Sequence, residues 1–460
     1  MKKKLFVIIL ATIQLGLISC SSEKDKYQII TVKFGGKEHD PVSGSERNSV
    51  TVASTWYFKY LSDEKGQISL PVLNYDVLEI RDNLNSGAGT IYEYCTDDGN
   101  ELEFLINDSI TTLNGHVITI IYDGSPEDEH FLSTLSDDEI RQLKYLRFDK
   151  NIFPAGLPQL DRVARINPHV GIMAGDTAII MTLDKFSPEF LYVMDDNCCE
   201  AEVIEKICSA ESLERLMIDS YYAFDLNRIL KLPHLRKLDI QCLEKFDTNL
   251  RLIGNSSLEM LSINGTKCEF KINNLNFLLN LNNLKHLVIT GSETCISLNS
   301  LQKLNKLKSI ILSGDSATGL SSLNDLHCLE SFYFPFNISQ QDFNDFISDH
   351  PELNFVSLTG CTNVSDLSPL LNLKYLEFLV LSGIDSSFTA GSLEGLNNLD
   401  YLSIGPVKDS TMIPEIKAML PGTIVSENEG MCLGSGYLLL IVPLFLFISV
   451  IFMVCRRRFS

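Results

Sequence analysis

The sequence predicts an α/β solenoid, a curved horseshoe with a parallel β-sheet on its concave face. The first observation is a six-residue pattern, LxxLxL, that occurs nine times between residues 213 and 404. The second is its spacing, because the first leucines of successive copies lie 22 to 26 residues apart. Such a period is typical of stacked units that each contribute one strand and a return segment. The third is the region before residue 130, where short segments of alternating apolar and polar residues, typical of strands, take the place of the repeat.

Every copy of the pattern has an apolar residue at its three key positions. Successive side chains of a strand point to opposite faces, so the strand leucines point inward and the residues between them line the concave face. One coil cannot shield its leucines from water alone, and neighbouring coils must therefore stack into a continuous core. The copies are LERLMI (213–218), LRKLDI (235–240), LEMLSI (258–263), LKHLVI (284–289), LKSIIL (307–312), LESFYF (329–334), LNFVSL (353–358), LEFLVL (376–381) and LDYLSI (399–404).

This motif and period resemble the leucine-rich repeat, and the segment DLSPLLNLKYLEFLVLSG (366–383) resembles the internalin-type bacterial subfamily. In that family, the position three residues after the last strand leucine often carries Asn or Cys, which hydrogen-bonds the backbone of the turn. Asn337 and Cys361 occupy this position in two copies. The resemblance implies a horseshoe fold and protein–protein recognition.

Weaker copies precede the regular ones. LKYLRF (143–148) is recognisable, and degenerate copies occur near 170–172 and 191–193, which together predict twelve coils. We therefore expect degenerate repeats and an N-terminal cap over 131–212, and the solenoid with its C-terminal cap over 213–425. In that closing cap, a short helix over 414–420 is followed by an extended segment at 423–425.

Residues 21–130 form a separate β-rich region in this prediction. Six or seven short strands within about 100 residues favour a small antiparallel sandwich, and an immunoglobulin-like fold is suggested by spacing alone. A helix follows, because Ser136 and Glu139 have the spacing of a capping box. The alternating segments are 29–34, 50–60, 68–73, 77–80, 90–94, 102–106 and 117–122.

The N-terminal end has the features of an export signal. Lys2–Lys4 are followed by a short apolar core, Leu5–Leu17, that is too short for a membrane span. The string LISC, ending at Cys20, resembles the bacterial lipobox, in which the cysteine is lipidated. Residues 1–20 are thus predicted to be a lipoprotein-type signal peptide. The alternative is an ordinary signal peptide with an accidental cysteine.

The C-terminal end predicts a second anchor. After a linker at 426–436, residues 437–455 form a run of 19 residues without a charge, long enough to span a bilayer. The basic end 456–460 follows at once and is predicted to be cytoplasmic, which places residues 21–434 outside. The tail also resembles the sorting signals cut by bacterial sortases. A plain transmembrane anchor is the alternative.

Composition and motifs argue against several classes of function. The net charge of −21 disfavours nucleic acid as a partner. Nine cysteines remain outside the two ends, an odd number scattered about once per repeat, which favours small core residues over a disulfide framework. The alternative for three of them is that the adjacent pair Cys198 and Cys199 forms a disulfide with Cys208 and links the degenerate coils. No sequence motif indicates a metal, a cofactor or a catalytic residue, so we predict that the protein is not an enzyme.

The predicted concave face is charged at its N-terminal end, at Arg215 and Lys237, and aromatic at its C-terminal end. Phe355, Phe378 and Tyr401 are expected to form an exposed ledge with Tyr333 beside it. Exposed aromatic rings are enriched at binding hot spots, so these four residues are the candidate ligand-binding site. The alternative is that a tail segment or the N-terminal domain covers them.

The function that these observations favour is binding rather than catalysis. We expect an exported, membrane-anchored surface protein that binds an extracellular protein or glycan. The second hypothesis is a structural envelope protein without a specific ligand. The third and weakest is an enzyme with its site in the β-rich region.

Overall fold

A computed structural model describes most of the chain between residues 28 and 427. The predicted signal peptide with Cys20, the apolar run 437–455 and the basic end 456–460 lie outside the described residues. Among the described helices, none has the length and apolar character that a membrane crossing requires. The described residues are 28–34, 49–52, 59–61, 67–72, 77–81, 89–93, 96–106, 110–122, 126–148, 158–194, 200–219, 225–241, 252–265, 274–290, 295–313, 316–334, 337–382, 388–405 and 412–427.

The strands before residue 130 form two sheets, as the alternating patterns predict. One sheet has four strands in the order β3-β2-β5-β6, all antiparallel. In the other sheet, β1 lies between β4 and β7, and β7, β8 and β9 form an antiparallel meander. The strands are β1 Gln28–Phe34, β2 Ser49–Val52, β3 Lys59–Leu61, β4 Gln67–Val72, β5 Val77–Arg81, β6 Gly89–Glu93, β7 Glu101–Ile106, β8 Ile110–Leu113 and β9 His116–Tyr122.

Two details of this region differ from the prediction. The alternating run over 50–60 contains residues of two strands, β2 and β3, which pair antiparallel. The pairing is not antiparallel throughout, since β1 and β7 run parallel. The two sheets do meet through apolar side chains, and the Tyr92 and Phe104 rings contact edge to face at 5.2 Å.

The solenoid is built from parallel strands, one per predicted coil. The twelve predicted coils supply twelve strands, including one each from the degenerate copies near 145, 171 and 190. The twelve are β10 Tyr145–Phe148, β11 Gly171–Ala174, β12 Phe190–Val193, β13 Arg215–Asp219, β14 Lys237–Gln241, β15 Met260–Asn264, β16 His286–Thr290, β18 Ser309–Leu312, β20 Ser331–Phe334, β21 Phe355–Thr359, β22 Phe378–Ser382 and β23 Tyr401–Ile404. Three further strands lie outside this set: β17 Cys295–Ser297, β19 Ser316–Thr318 and β24 Ile424–Glu427.

The strand register confirms the repeat alignment. Leu216 pairs with Leu238, which pairs with Leu261, so the same position of each LERLMI-like unit is in register across the sheet. These leucines are fully buried in the solenoid core, a continuous cluster that extends from the first coil to the last. The strands β17 and β19 form a separate two-stranded sheet where two coils turn. The α/β solenoid prediction is therefore confirmed.

Helices and short 3-10 turns return the chain between strands. They are α1 Pro126–Thr134, α2 Asp137–Gln142, α3 Pro158–Ile166, α4 Thr177–Ile180, α5 Ala201–Cys208, α6 Leu226–Ile229, α7 Gln340–Asp349 and α8 Met412–Met419, with 3-10 turns at Thr96–Asp98, Leu183–Lys185, Asn276–Leu278, Leu301–Lys303, Leu320–Leu323, Ser368–Asn372 and Ala390–Leu393.

The helix expected after the β-rich region is present. Its capping box has the predicted form: the Ser136 amide donates to Glu139 Oε2 at 2.8 Å, and the Glu139 amide donates to Ser136 Oγ at 3.3 Å. Hydrogen bonds from the side chain and backbone of Ser136 lower the pKa of Glu139. In the predicted closing cap, α8 is followed by β24, which pairs parallel with β23.

The β-rich region is joined to the solenoid by backbone pairing. β9 pairs parallel with β10, so the sheet of β1, β4, β7, β8 and β9 continues into the solenoid sheet, giving 18 strands in all. In β9, Ile118 to Tyr122 are all buried, as expected for a strand with covered faces on both sides. The N-terminal sheet thus forms the first end of the concave surface.

Candidate functional site on the concave face

Two rows of side chains line the concave face, as the repeat pattern predicts. They come from the first and third residues of the strands, which alternate with the leucines of the core. The first row is Tyr145, Gly171, Phe190, Arg215, Lys237, Met260, His286, Ser309, Ser331, Phe355, Phe378 and Tyr401. The second is Arg147, Met173, Tyr192, Met217, Asp239, Ser262, Val288, Ile311, Tyr333, Ser357, Val380 and Ser403.

The structure brings the four predicted site residues together. Phe355, Phe378 and Tyr401 are register partners on adjacent strands, and Tyr333 lies in the neighbouring row. The rings of Phe355 and Phe378 are stacked, with centroids 6.4 Å apart and planes inclined by 27°. We refer to these four residues as the aromatic stripe.

The expectation that the stripe is exposed is wrong. Tyr333, Phe355, Phe378 and Tyr401 have relative exposures of 2%, 4%, 2% and 0%. The reason is that they belong to a second apolar cluster, distinct from the solenoid core, in which side chains of the concave rows pack together. The same cluster contains the inner face of the N-terminal sheet, including Leu102 and Phe104. Burial raises the pKa of the Tyr401 hydroxyl.

The charged end of the concave face contains a buried ion pair. Arg215 on β13 and Asp239 on β14 are in contact through Nη2 and Oδ2 at 2.8 Å, with side-chain exposures of 3% and 2%. A buried guanidinium requires an opposite charge, since transfer of an isolated ion out of water is costly. Arg215 was predicted as part of a charged surface, but its charge is compensated within the sheet.

A second charge network lies just before the strands. Arg236 Nη2 donates to Glu259 Oε2 at 2.9 Å, and Lys285 Nζ lies 3.3 Å from Glu259 Oε1. Burial alone would raise the pKa of Glu259, but the hydrogen bond from Arg236 and the charge of Lys285 hold it below its ordinary value.

A cleft of about 300 Å³ opens at this charged end. Its residues come from the starts of β10 to β14 and from the segments just before them. We call it the basic cleft, and it is lined by Arg141, Leu143, Lys144, Tyr145, Asn167, His169, Val170, Gly171, Glu189, Phe190, Glu214, Arg215, Arg236 and Lys237. Of these residues, the sequence analysis placed only Arg215 and Lys237 at the charged end of the concave face.

The side chains three residues after the last strand leucine hydrogen-bond backbone groups of the turns, as the family resemblance implies. Cys361 Sγ donates to the carbonyl oxygen of Phe334 at 3.2 Å, and Asn337 Oδ1 accepts from the amide of Asn363 at 3.0 Å. Cys361 is buried, which raises the pKa of its thiol to about 12. The thiol is therefore a structural donor and not a nucleophile at neutral pH.

The described cysteines form no disulfide. Cys208, Cys295, Cys328 and Cys361 are not disulfide-bonded, so the predicted disulfide at Cys208 is absent from the described residues. Its suggested partners at 198 and 199 lie outside the described residues. Within the described ranges, no group of three or more His, Cys, Asp or Glu side chains has a metal-binding arrangement.

Comparisons with protein-family models and with curated proteins find no match. Solved structures with a similar fold include a leucine-rich-repeat protein of Leptospira interrogans, with 14% identity and a TM-score of 0.36, covering 66% of this chain and 99% of that one. An internalin, InlF, of Listeria monocytogenes matches with 15% identity and a TM-score of 0.35, over 65% of this chain and 92% of that one. The mouse RP105/MD-1 complex matches with 17% identity and a TM-score of 0.39, over 63% of this chain and 60% of that one.

The fold assignment rests on this chain's own repeat and strand register. Nine regular units and three degenerate ones each supply one parallel strand, with their leucines in one core. The fold is a leucine-rich-repeat solenoid.

Proposed function

We propose that this chain is an exported, membrane-anchored leucine-rich-repeat protein that binds an extracellular protein or glycan through its concave face. The observation that carries the proposal is the aromatic stripe. Its rings lie on the face opposite the leucines, in a second apolar cluster apart from the solenoid core. Rows of large aromatic side chains are typical of binding surfaces.

The burial of the stripe sets a condition on binding. A ligand that contacts Phe378 or Tyr401 has to replace the apolar contacts that these rings make in the unbound chain. Such a replacement costs free energy, so the affinity depends on how well the ligand matches the apolar surface. A protein or glycan with a flat apolar patch fits this requirement.

The test is ligand capture by the full chain in detergent, using arrays of extracellular proteins and glycans. The triple variant Phe355→Ala, Phe378→Ala, Tyr401→Ala is expected to lose at least about tenfold in affinity for the best ligand, because hot-spot truncations have effects of this size. Leu371 and Tyr375 are 50% and 54% exposed on the return side of the coils, so Leu371→Ala with Tyr375→Ala is the matched control.

Circular dichroism shows whether the stripe variants fold. If the triple variant does not fold, Phe378→Leu keeps most of the buried volume and is measured instead. Unchanged affinity in a folded stripe variant, or a loss confined to the control, contradicts binding through the stripe.

A structural role is the second candidate, and the burial of the stripe favours it. A concave face that stays covered by the chain itself offers no aromatic surface to a ligand. Under this alternative, stripe substitutions lower stability and no array ligand depends on them. The same experiment therefore separates the two functions.

The proposed anchoring makes its own prediction. Mass spectrometry of the mature protein is expected to find a diacylglyceryl group on an N-terminal Cys20, since the preceding residues resemble a lipobox. At the other end, an intact Arg458 indicates a transmembrane anchor, and a cut near Gly434 indicates sorting. A mature N-terminus at any other residue contradicts the lipoprotein proposal.

A further inference from the structure

His350 is a buried histidine at the C-terminal end of α7, the helix that returns the chain from β20 to β21. Its relative exposure is only 4%, and it occupies a core position where most of the regular units have leucine. The two strands that α7 connects carry Tyr333 and Phe355. The residue therefore lies in the part of the solenoid that supplies two members of the aromatic stripe.

Both ring nitrogens of His350 face carbonyl oxygens. Nδ1 lies 2.9 Å from the carbonyl oxygen of Phe346, one turn back on α7, and Nε2 lies 3.0 Å from that of Leu323 in the preceding coil. A carbonyl oxygen can only accept a hydrogen bond, and a neutral imidazole has only one N–H group. Both contacts are hydrogen bonds only when both nitrogens carry a proton, and the ring is then a cation.

Two asparagines of this chain make the same kind of contact without a charge. Asn255 Nδ2 donates to two carbonyl oxygens of the coil before it, at 2.9 and 3.1 Å. Asn167 Nδ2 does so at 3.0 and 2.9 Å. An amide nitrogen has two hydrogens, so it serves two acceptors as a neutral group. A pair of carbonyl oxygens thus requires a donor with two N–H hydrogens, and at His350 only the doubly protonated ring supplies them.

The contacts of the ring offset the cost of burying a charge. His350 directly follows the last residue of α7, so it lies at the negative end of the helix dipole, and the last turn of α7 contains no basic residue. The Phe346 ring stacks on the imidazole, with centroids 4.2 Å apart and planes inclined by 26°. An aromatic face attracts a cation. The helix end, the aromatic ring and the two carbonyl oxygens therefore all favour the charged form of His350.

The titratable groups on the elements packed against His350 are mainly acidic. α7 packs against the 3-10 turns Leu320–Leu323 and Ser368–Asn372. Six carboxylates lie on α7 and within four residues of these elements, against one lysine, one further histidine and one tyrosine, and they give this region a negative potential that favours an imidazolium. These exposed groups are Asp325, His327, Asp342, Asp345, Asp349, Glu352, Asp366, Lys374 and Tyr375.

We propose that His350 is a pH-dependent link between two coils of the solenoid. In its protonated form, the ring joins the last turn of α7 to the carbonyl oxygen of Leu323. When the ring loses one proton to solvent, one nitrogen presents a lone pair to a carbonyl oxygen, and that hydrogen bond is replaced by a repulsive contact. The end of α7 is then released from the preceding coil. This inference does not depend on what the concave face binds.

The stabilisation has a defined dependence on pH. The folded chain keeps on His350 a proton that an unfolded histidine releases at about pH 6.5. The contribution of the link to stability is therefore complete below that pH and is lost as the pH rises above it. Alkaline conditions weaken the link, and acidification restores it.

Urea unfolding of the full chain in detergent tests the link, at about pH 5.5 and about pH 8.5. The comparison is between the unmodified chain and His350→Asn, because asparagine keeps two N–H hydrogens and does not titrate. The unfolding constant of the variant, divided by that of the unmodified chain, is expected to fall about tenfold from the lower pH to the higher, as when folding tightens the binding of one proton tenfold. His327→Asn is the matched control, since His327 is exposed on the preceding coil, and its ratio should be the same at both values.

Nuclear magnetic resonance of the unmodified chain, labelled with 15N-histidine, gives a second measurement that needs no variant. At about pH 7, one of the eight histidines is expected to have two ring N–H hydrogens that exchange slowly with water, because His350 is buried. If His350→Asn does not fold, His350→Gln replaces it in the urea experiment. The proposal is overturned if the ratio for the folded His350 variant does not change with pH or changes in the opposite direction. The absence of a slowly exchanging, doubly protonated ring also overturns it.

Discussion

Replacement of Asp239 by alanine is expected to lower the free energy of unfolding by about 3–5 kcal/mol, the largest effect of any single charge removal in the solenoid. The reason is that Arg215 remains buried after its carboxylate partner is removed. Both side chains are almost completely inaccessible, and their contact is 2.8 Å long. Urea unfolding followed by circular dichroism measures the change.

Two further variants make this expectation specific. Asp161 pairs with Lys185 at 2.7 Å, but both side chains are exposed, so Asp161→Ala should cost less than about 1 kcal/mol. The double variant Arg215→Met with Asp239→Leu removes both charges and should recover most of the loss. An Asp239→Ala protein as stable as the Asp161→Ala protein contradicts the description of a buried ion pair.

Replacement of Asn255 by leucine is expected to cost at least about 3 kcal/mol, although leucine is the residue that the repeat pattern favours there. Asn255 lies three residues before the first leucine of its unit, where neighbouring units have Leu232 and Leu281. Its Nδ2 donates to the carbonyl oxygens of Leu230 and Leu232, at 2.9 and 3.1 Å. Its Oδ1 accepts from the amides of Ser257 and Leu258, at 2.8 and 2.9 Å.

Leucine at this position leaves four backbone groups, most of them buried, without the partner that Asn255 supplies. The matched control is Asn282→Leu, an exposed asparagine on the next coil, for which the change should stay within about 0.5 kcal/mol. Equal midpoints of urea unfolding for the two variants would show that the Asn255 hydrogen bonds contribute little to stability.

Asn255 also shows what periodicity alone can and cannot predict. The LxxLxL pattern correctly predicts the strands, their parallel pairing and their register, because burial of the leucines enforces all three. A polar residue at a core position only weakens the pattern. The structure shows that Asn255 and His350 replace leucine at the same position and contact backbone carbonyls, including that of Leu230 from Asn255 and that of Leu323 from His350.

The surface of the solenoid was less predictable. The pattern places Phe355, Phe378 and Tyr401 in one row correctly, but it contains no information on what packs against them, and the predicted exposure was wrong. The pairing of β9 with β10 was also missed, because a strand pairing between two regions leaves no periodic signal.

The most direct test of the fold is an experimental structure of the mature protein, determined by crystallography. We predict that Leu216, Leu238 and Leu261 are register partners on parallel strands, and that Thr119 of β9 pairs with Tyr145 of β10. A structure in which residues 213–404 form any other arrangement, or in which the N-terminal sheet is separate from the solenoid sheet, contradicts this account.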